Sequence, residues 1–160
     1  MAKNSNISFG KRDNIFEVEE GQIFSPKFDD NGLIPVITSS SESGEVLMHG
    51  YMNKESLQLT LENKEAYYWS RSRKCLWHKG KTSGLIQKVI SIRVDDDQDT
   101  IWLIVEVSGV GASCHVGYRS CFYRSVHLDK NGVIELNFEE DKKLFDPEIV
   151  YQGQENPTKL

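Results

Sequence analysis

Four aspartates stand within five positions of the chain, between residues 95 and 99. If this segment is extended, Asp95, Asp97 and Asp99 share one face and Asp96 points to the other, because side chains alternate along a strand. Carboxylates on one face repel each other unless a cation binds them, and oxygen ligands suit a hard divalent ion. The pattern therefore predicts a magnesium site at Asp95, Asp97 and Asp99.

The acidic run has two competing interpretations. A solvated acidic turn is the ordinary interpretation of an isolated acidic run. An EF-hand loop starting at Asp95 would align the later aspartates and Glu106 with ligand positions. Thr100 stands where that loop needs glycine, and the apolar residues that follow favour a strand, so the EF-hand is disfavoured.

Two of the three cysteines, Cys114 and Cys121, flank the segment HVGYRS downstream of the aspartates. A single cysteine is ordinarily a small buried hydrophobe. Two of them, with His115 beside one and an acidic run nearby, favour a thiolate metal site. Asp96, facing away from the other aspartates, could complete that site. A metal held by these three residues leaves a position for water, whose pKa then falls toward 7.

A locally basic segment precedes the aspartates, although the chain has a formal net charge of −5. Arginine and lysine beside hydroxyl groups and a glycine turn are typical of phosphate binding, and Tyr68 and Trp77 could stack on a purine. The alternatives are a solvated basic loop, core packing of Trp69, and an RNA-binding patch, which the lack of an RNP-type arrangement disfavours. The candidate substrate-binding residues are Ser70, Arg71, Ser72, Arg73, Trp77, Lys79, Thr82, Ser83 and Gly84.

The bulk composition predicts one soluble domain of 160 residues. The acidic net charge disfavours nucleic-acid and membrane partners. We expect neither a secretory signal nor a transmembrane helix, and an odd number of cysteines favours free thiols in the cytoplasm. We predict an N-terminal arm over residues 1–20, loose or forming a short helix, a domain over 21–145, and an extended C-terminal arm over 146–160.

The elements that must position these residues are mostly strands. Strands are predicted at 33–37, where Pro35 indicates an edge or a bulge, and at 46–48. A helix capped by Asn53 follows, and then an aromatic strand. Two buried strands surround the aspartates, and a hairpin with a turn at 129–132 closes the domain. The predicted class is mainly β (α+β) with one or two helices.

Several motifs together resemble phosphoribosyl-AMP cyclohydrolases, enzymes of histidine biosynthesis. They are GLIPVI, SGEVLMHGYMNKESLQLTLE, YYWSRSR, LWHKGKTSG, DDDQD and SCHVGYRSCFYR, spanning about residues 28 to 124. The resemblance implies a hydrolase that adds water at C6 of the adenine of 1-(5-phosphoribosyl)-AMP and breaks the N1–C6 bond. It also implies a homodimer with a buckled, barrel-like mixed sheet, and zinc ligands from both subunits.

When the family's functional residues are matched to this sequence by position, the resemblance implies zinc at Cys114 and Cys121, magnesium at Asp95, Asp97 and Asp99, and a proton shuttle at His115. Three features depart from the family pattern. Asp96 replaces the cysteine that is the third zinc ligand, Leu85 replaces a histidine or asparagine, and extra residues precede Cys114. Cys75 has no family counterpart and is interpreted as a bystander thiol. A carboxylate in place of a thiolate moves metal preference from Zn²⁺ toward Mn²⁺ or Fe²⁺.

The predicted function is a phosphoribosyl-AMP cyclohydrolase that uses a transition metal and Mg²⁺. The alternative is a metal- and nucleotide-binding relative with altered metal preference or a lost or changed hydrolase activity. A nucleobase deaminase is disfavoured, because the chain has neither the H-x-E nor the P-C-x-x-C signature.

Overall fold

The computed structural model describes residues 7–160 and is mainly β, as predicted. The described residues contain three helices where one or two were expected. The elements are α1 (Ile15–Glu19), β1 (Ile34–Ser40), β2 (Val46–Met52), α2 (Lys54–Asn63), β3 (Tyr67–Ser70), β4 (Cys75–His78), β5 (Gln87–Val94), β6 (Ile101–Val107), β7 (Arg124–Leu128), β8 (Ile134–Phe138) and α3 (Pro147–Val150).

A mixed sheet with the strand order β2-β1-β6-β5 forms the centre of the molecule. Strand β1 is antiparallel to β2 and parallel to β6, and β5 is antiparallel to β6. The pairs β3–β4 and β7–β8 form two separate antiparallel sheets. The predicted mixed sheet is confirmed. Because β2 and β5 are open edges of the central sheet, the described part of the chain forms no closed barrel.

The hydrophobic core lies between one face of the central sheet and the α2–β3 segment. Ile34, Leu103 and Leu57 are fully buried there, and each contributes about 1.5–3 kcal/mol by leaving water. Helix α2 begins where the sequence predicted. The Asn53 side chain accepts from the Ser56 N–H, and the Ser56 hydroxyl accepts from the Asn53 N–H. This capping box satisfies two backbone donors that a bare helix end leaves unpaired.

Two sequence-based expectations about the strands are wrong. Pro35 lies in a central strand, not at an edge or a bulge, yet it disrupts little because the parallel ladder to β6 begins only at Val36. Strands β5 and β6 are not buried on both faces. Burial alternates along each, because only one face of the sheet is covered. Strand β4 lies in the segment interpreted as a basic loop.

The two predicted arms are folded against the domain where the structure describes them. Residues 1–6 of the N-terminal arm lie outside the described residues, and α1 is the short helix that was one of the two expectations. The C-terminal arm contains α3, with the Asp146 side chain accepting from the Glu148 N–H at its start. None of the described helices is long and apolar enough to cross a bilayer.

Candidate active site

The aspartates lie in a turn between β5 and β6, not in an extended strand, so the face-alternation argument is wrong. The chain reverses at Gln98, whose φ is 57°. The carboxylate of Asp95 accepts from the backbone N–H groups of Asp99 and Thr100, both at 3.0 Å. The turn nevertheless brings one carboxylate oxygen from each of Asp95, Asp97 and Asp99 within 4.8 Å of the others. That spacing fits one hard cation.

The N-terminal segment holds this turn from one side. The Gln98 side chain is 5% exposed, and its Oε1 accepts from the Ser25 N–H at 2.7 Å. Arg12 donates to the Asp97 carbonyl at 2.7 Å, and the Lys27 ammonium lies 3.7 Å from an Asp97 carboxylate oxygen. The acidic turn is therefore fixed by residues outside the acidic run, none of which the sequence analysis identified.

The thiols of Cys114 and Cys121 share a hydrogen bond, although they are seven positions apart in the sequence. The hydrogen bond from Cys121 lowers the pKa of Cys114 to about 6, with help from backbone N–H groups and from Lys79 and against the effect of burial. The same hydrogen bond, together with burial, raises the pKa of Cys121. The pair therefore favours a thiolate on Cys114, and a thiolate is the ligand state that a soft metal needs.

Lys79 is buried beside the two sulfurs, not exposed to solvent. Its side chain is 3% exposed, and its ammonium donates to the Ser113 carbonyl at 2.6 Å. Burial lowers the pKa of Lys79, and the charges of Cys121 and Cys114 oppose that shift. The buried cation stabilises negative charge on the sulfurs.

A buried polar network positions the segment before Cys114. The Tyr68 hydroxyl donates to Gln87 Oε1 at 2.7 Å, and Gln87 Nε2 donates to Ser113 Oγ at 3.1 Å. Tyr68 is 1% exposed, so the interpretation that it stacks on a purine is wrong. The network joins β3 and β5 to residues 113–121, called here the cysteine loop, and none of these contacts was predicted from the sequence.

Two clefts open beside His115. The strand cleft, of about 560 Å³, is lined by β2, β3 and Cys121, and the tail cleft, of about 530 Å³, by residues 80–83 and the C-terminal segment. Of the candidate substrate-binding residues, Ser70, Arg71 and Ser72 line the strand cleft and Thr82 and Ser83 the tail cleft. Arg73, Trp77 and Lys79 line both clefts, as does His115.

Arginine side chains are pre-positioned on the wall of the strand cleft. The Arg71 guanidinium lies 4.0 Å from the centre of the Tyr51 ring, and Arg73 Nε donates to Ser70 Oγ at 3.1 Å. Trp77 packs against the hydrophobic core and also lines both clefts, so it serves the core and the surface together. Gly84 lies outside both clefts. Its carbonyl accepts from the Ser108 hydroxyl at 2.7 Å, which makes it part of the loop scaffold.

Two histidines line the strand cleft, of which the sequence analysis identified His115 and missed His49. Burial lowers the pKa of His49, with Arg71 adding to the effect, and burial lowers that of His115, with Lys79 adding to it. His49 could have been found, because alternation along β2 places it and Tyr51 on one face. The C-terminal residues that line one cleft or the other carry no such signal in the sequence.

Asp96 is not beside the two thiols within one chain. Gln87, at one end of β5, contacts Ser113, while the acidic turn follows the other end of this eight-residue strand. At about 3.3 Å per residue, β5 separates them by roughly 23 Å. In the described part of the chain, the aspartate triplet alone gathers three or more potential metal-ligating side chains. A site of Cys114, Cys121 and Asp96 therefore needs Asp96 from another copy.

Comparison with known proteins gives consistent matches. Residues 48–123 match the family model for phosphoribosyl-AMP cyclohydrolase. A protein of that name from Rhodopseudomonas palustris (strain BisA53) is 51% identical over 136 residues, covering 85% of this chain and 92% of the relative. Relatives with the same name from Nitrobacter winogradskyi and Brucella abortus (strain S19) are 46% and 52% identical, covering 86% and 78% of this chain and 94% and 88% of their own lengths.

Proposed function

Because this chain belongs to the phosphoribosyl-AMP cyclohydrolase family, we propose that its two clefts bind 1-(5-phosphoribosyl)-AMP and that water opens the adenine ring at the N1–C6 bond. The observation that supports this most directly is the convergence of the thiol pair, His115 and the arginine-lined walls on one location. The family reaction needs an activated water, a proton carrier and phosphate-binding groups. Residues able to supply each of these line the strand cleft or contact its lining.

The metal-binding residues fit two different ions. Cys114 and Cys121, with the lowered pKa of one thiol, suit zinc or another transition metal, and Asp96 from a second copy would add a carboxylate. Asp96 in place of a third cysteine extends the range of suitable ions to Mn²⁺ and Fe²⁺. A transition metal held there supplies a water with a pKa near 7. The carboxylates of Asp95, Asp97 and Asp99 suit Mg²⁺, and this ion would neutralise substrate charge if the acidic turn, like Asp96, comes from the second copy.

His115 is the candidate proton carrier. Burial and the neighbouring Lys79 charge both lower its pKa, which keeps the imidazole neutral and able to accept a proton. We assign it to take a proton from the attacking water and to return one to N1 as the bond to C6 breaks. The oxygen stays on C6 as the carbonyl of a carboxamide. One hydrogen of the water ends on the exocyclic nitrogen, which becomes the carboxamide NH2, and the other, released by the C6 hydroxyl as the ring opens, ends on N1.

The basic residues hold the substrate in place. Arg71 and Arg73 are fixed by Tyr51 and Ser70, so they lose little side-chain freedom when they bind a phosphate. Ser72, Thr82 and Ser83 add hydroxyl groups. Fixing both ends of the nucleotide keeps C6 within reach of the attacking water. This positioning lowers the activation barrier for the addition of water.

A homodimer is part of this proposal, because one chain does not unite Asp96 with the thiols. The hairpin β7–β8 offers a surface for a second copy. One of its faces carries the exposed apolar side chains of Val126, Leu128, Ile134 and Leu136, and these are 49–74% exposed. An apolar sheet face of this kind ordinarily packs against a partner. The three free thiols suit a reducing cytoplasm.

The decisive experiment is turnover of phosphoribosyl-AMP by metal-stripped protein refilled with Zn²⁺, Mn²⁺ or Fe²⁺ in the presence of Mg²⁺. We expect the absorbance change of ring opening with at least one of these ions. Binding without an absorbance change would support the alternative, a nucleotide-binding relative that has lost the activity. Full turnover by protein free of any transition metal would refute the thiol-site assignment.

A further inference from the structure

The C-terminal segment follows the cysteine loop before it reaches the clefts. The Glu140 carboxylate accepts from the backbone N–H groups of Arg119 and Ser120, both at 2.8 Å. The Leu144 N–H then donates to the Gly117 carbonyl at 2.8 Å. These contacts tie the start of the segment to the loop that carries Cys114 and Cys121.

Gly117 makes this close approach possible. Its φ is 107°, and a Cβ at this position would lie 2.5 Å from the Phe145 carbonyl oxygen and 3.2 Å from Cβ of Lys143. Only glycine adopts that conformation without strain and leaves the space free. The segment is therefore seated in a fitted position beside the cysteine loop, and Lys143 is placed at the tail cleft.

Beyond α3, the chain passes between the two clefts. Pro157 lines both of them, residues 152–156 line the tail cleft only, and Thr158 and Lys159 line the strand cleft only. The Asn156 side chain hydrogen-bonds the His115 imidazole. Residues 152–159, called here the dividing segment, thus form a wall between two cavities that meet at His115.

The charges on both sides of this wall are predominantly positive. The strand cleft is lined by Arg71, Arg73, Lys79 and Lys159, and no carboxylate is among its described lining residues. The tail cleft adds Lys81 and Lys143 to the shared cations, against the carboxylates of Glu148 and Glu155. Each cleft falls in the size range of a small-molecule site, about 300–1,000 Å³. Two cationic cavities of similar size suit a ligand with two phosphate-bearing ends.

We propose that the dividing segment splits the substrate site into two phosphate subsites, with Lys143 contacting phosphate in the tail cleft and Lys159 contacting phosphate in the strand cleft. Each cleft receives one phosphoribosyl arm, and the adenine ring lies where the clefts meet, beside His115. This assignment rests on the proposed function for the identity of the substrate. The division into two phosphate subsites stands on the cavities and their charges.

The test uses ribose 5-phosphate, which resembles one arm alone, titrated into the metal-loaded protein by calorimetry. We expect two binding sites per chain in the wild type. Lys143→Ala and Lys159→Ala should each weaken one site by about tenfold, the loss typical of one charged hydrogen bond, and leave the other site unchanged. Lys142→Ala removes a neighbouring exposed lysine that lines neither cleft, and it is the matched control.

Steady-state kinetics with phosphoribosyl-AMP, together with melting temperatures, distinguish a loss of substrate binding from a loss of folding. We expect each variant to raise KM about tenfold and to change kcat less than twofold, with an unchanged melting temperature. Lys159 also pairs with Glu155. Glu155→Gln breaks that ion pair without removing the lysine, so it should keep the strand-cleft site.

The outcomes distinguish this proposal from the proposed function. A single ribose 5-phosphate site in the wild type, or variants that bind as the Lys142→Ala control does, would overturn the divided site. Loss of the strand-cleft site in Glu155→Gln would overturn the role of Lys159. Two sites that respond as expected in a protein that opens no adenine ring would support the divided site and overturn the proposed reaction.

Discussion

Buried hydrogen bonds link Thr38, Tyr68 and Gln87 beneath the cysteine loop, and we expect them to stabilise the fold. Tyr68→Phe removes a hydroxyl that accepts from Thr38 and donates to Gln87 Oε1, at 2.6 and 2.7 Å. All three side chains are at most 1% exposed, so water cannot replace the lost hydrogen bonds. Each buried polar group left unpaired costs about 1–3 kcal/mol. We expect Tyr68→Phe to lower the free energy of unfolding by about 3 kcal/mol.

Urea denaturation followed by circular dichroism measures this loss. With a slope of about 1–3 kcal/mol per molar urea, the midpoint should fall by about 1–3 M. Tyr67→Phe is the matched control, because the neighbouring Tyr67 is only half-buried and its ring stacks on His78. That variant should change the unfolding free energy by less than about 0.5 kcal/mol.

A double variant tests the physical reason. Gln87→Met removes the other half of the broken hydrogen bond with an apolar side chain of similar length. In the Tyr68→Phe background it should cost at least about 1 kcal/mol less than it costs alone, because the partner is already missing. If Tyr68→Phe is as stable as the Tyr67→Phe control, or if the two costs simply add, the network does not stabilise the fold as reasoned.

Four further outcomes follow from the site and the hairpin. His115→Ala should lower kcat by about 10²–10⁴-fold while metal content is retained, and an equal loss of both would make its role structural. Asp96→Cys should tighten zinc binding in a chelator competition, whereas unchanged affinity would show that position 96 is not a ligand. Asp97→Asn should weaken Mg²⁺ binding at least about tenfold in a calorimetric titration, and unaltered binding would leave the acidic run a solvated turn. Leu136→Glu should shift the protein toward monomer in sedimentation velocity, with His127→Glu on the opposite face of the hairpin as the control that stays dimeric.

Local patterns in the sequence predicted much of the fold. The helix start at Asn53, the strand predicted at 33–37 and the hairpin turn at 129–132 all depend on residues close in sequence. All three are present, the strand as Ile34–Ser40. The sequence did not show whether the barrel-like sheet closes, because closure depends on which edges pair and the residues of β2 and β5 carry no sign of their partners. The prediction for Pro35 was wrong because a central strand tolerates proline where the N–H that proline lacks would have no strand partner. Here the hydrogen-bonded ladder between β1 and β6 begins only at Val36, and the sequence does not show this register.

The sequence predicted which types of residue form the candidate site, but not how these residues are arranged in space. The carboxylates of Asp95, Asp97 and Asp99 lie close together, as predicted. They do so because the chain turns at Gln98, not because they share one face of a strand. Lys79 and Tyr68 look like surface groups in a basic, aromatic segment, but both are buried. The Tyr68 ring packs into the hydrophobic core, and the Lys79 ammonium donates to the Ser113 carbonyl beside the thiols. Sequence spacing could not show that Asp96 is far from the thiols, since that separation is the length of β5.

The position of the last residues has a practical consequence. Leu160 is fully exposed, and the residue before it lines the strand cleft. An affinity tag fused behind Leu160 would emerge at the mouth of the cavity, where a run of histidines would place additional imidazoles within reach of any ion held by the thiols. Protein prepared in that way would give metal contents and Michaelis constants that belong partly to the tag, and cleaving the tag before the measurement avoids this.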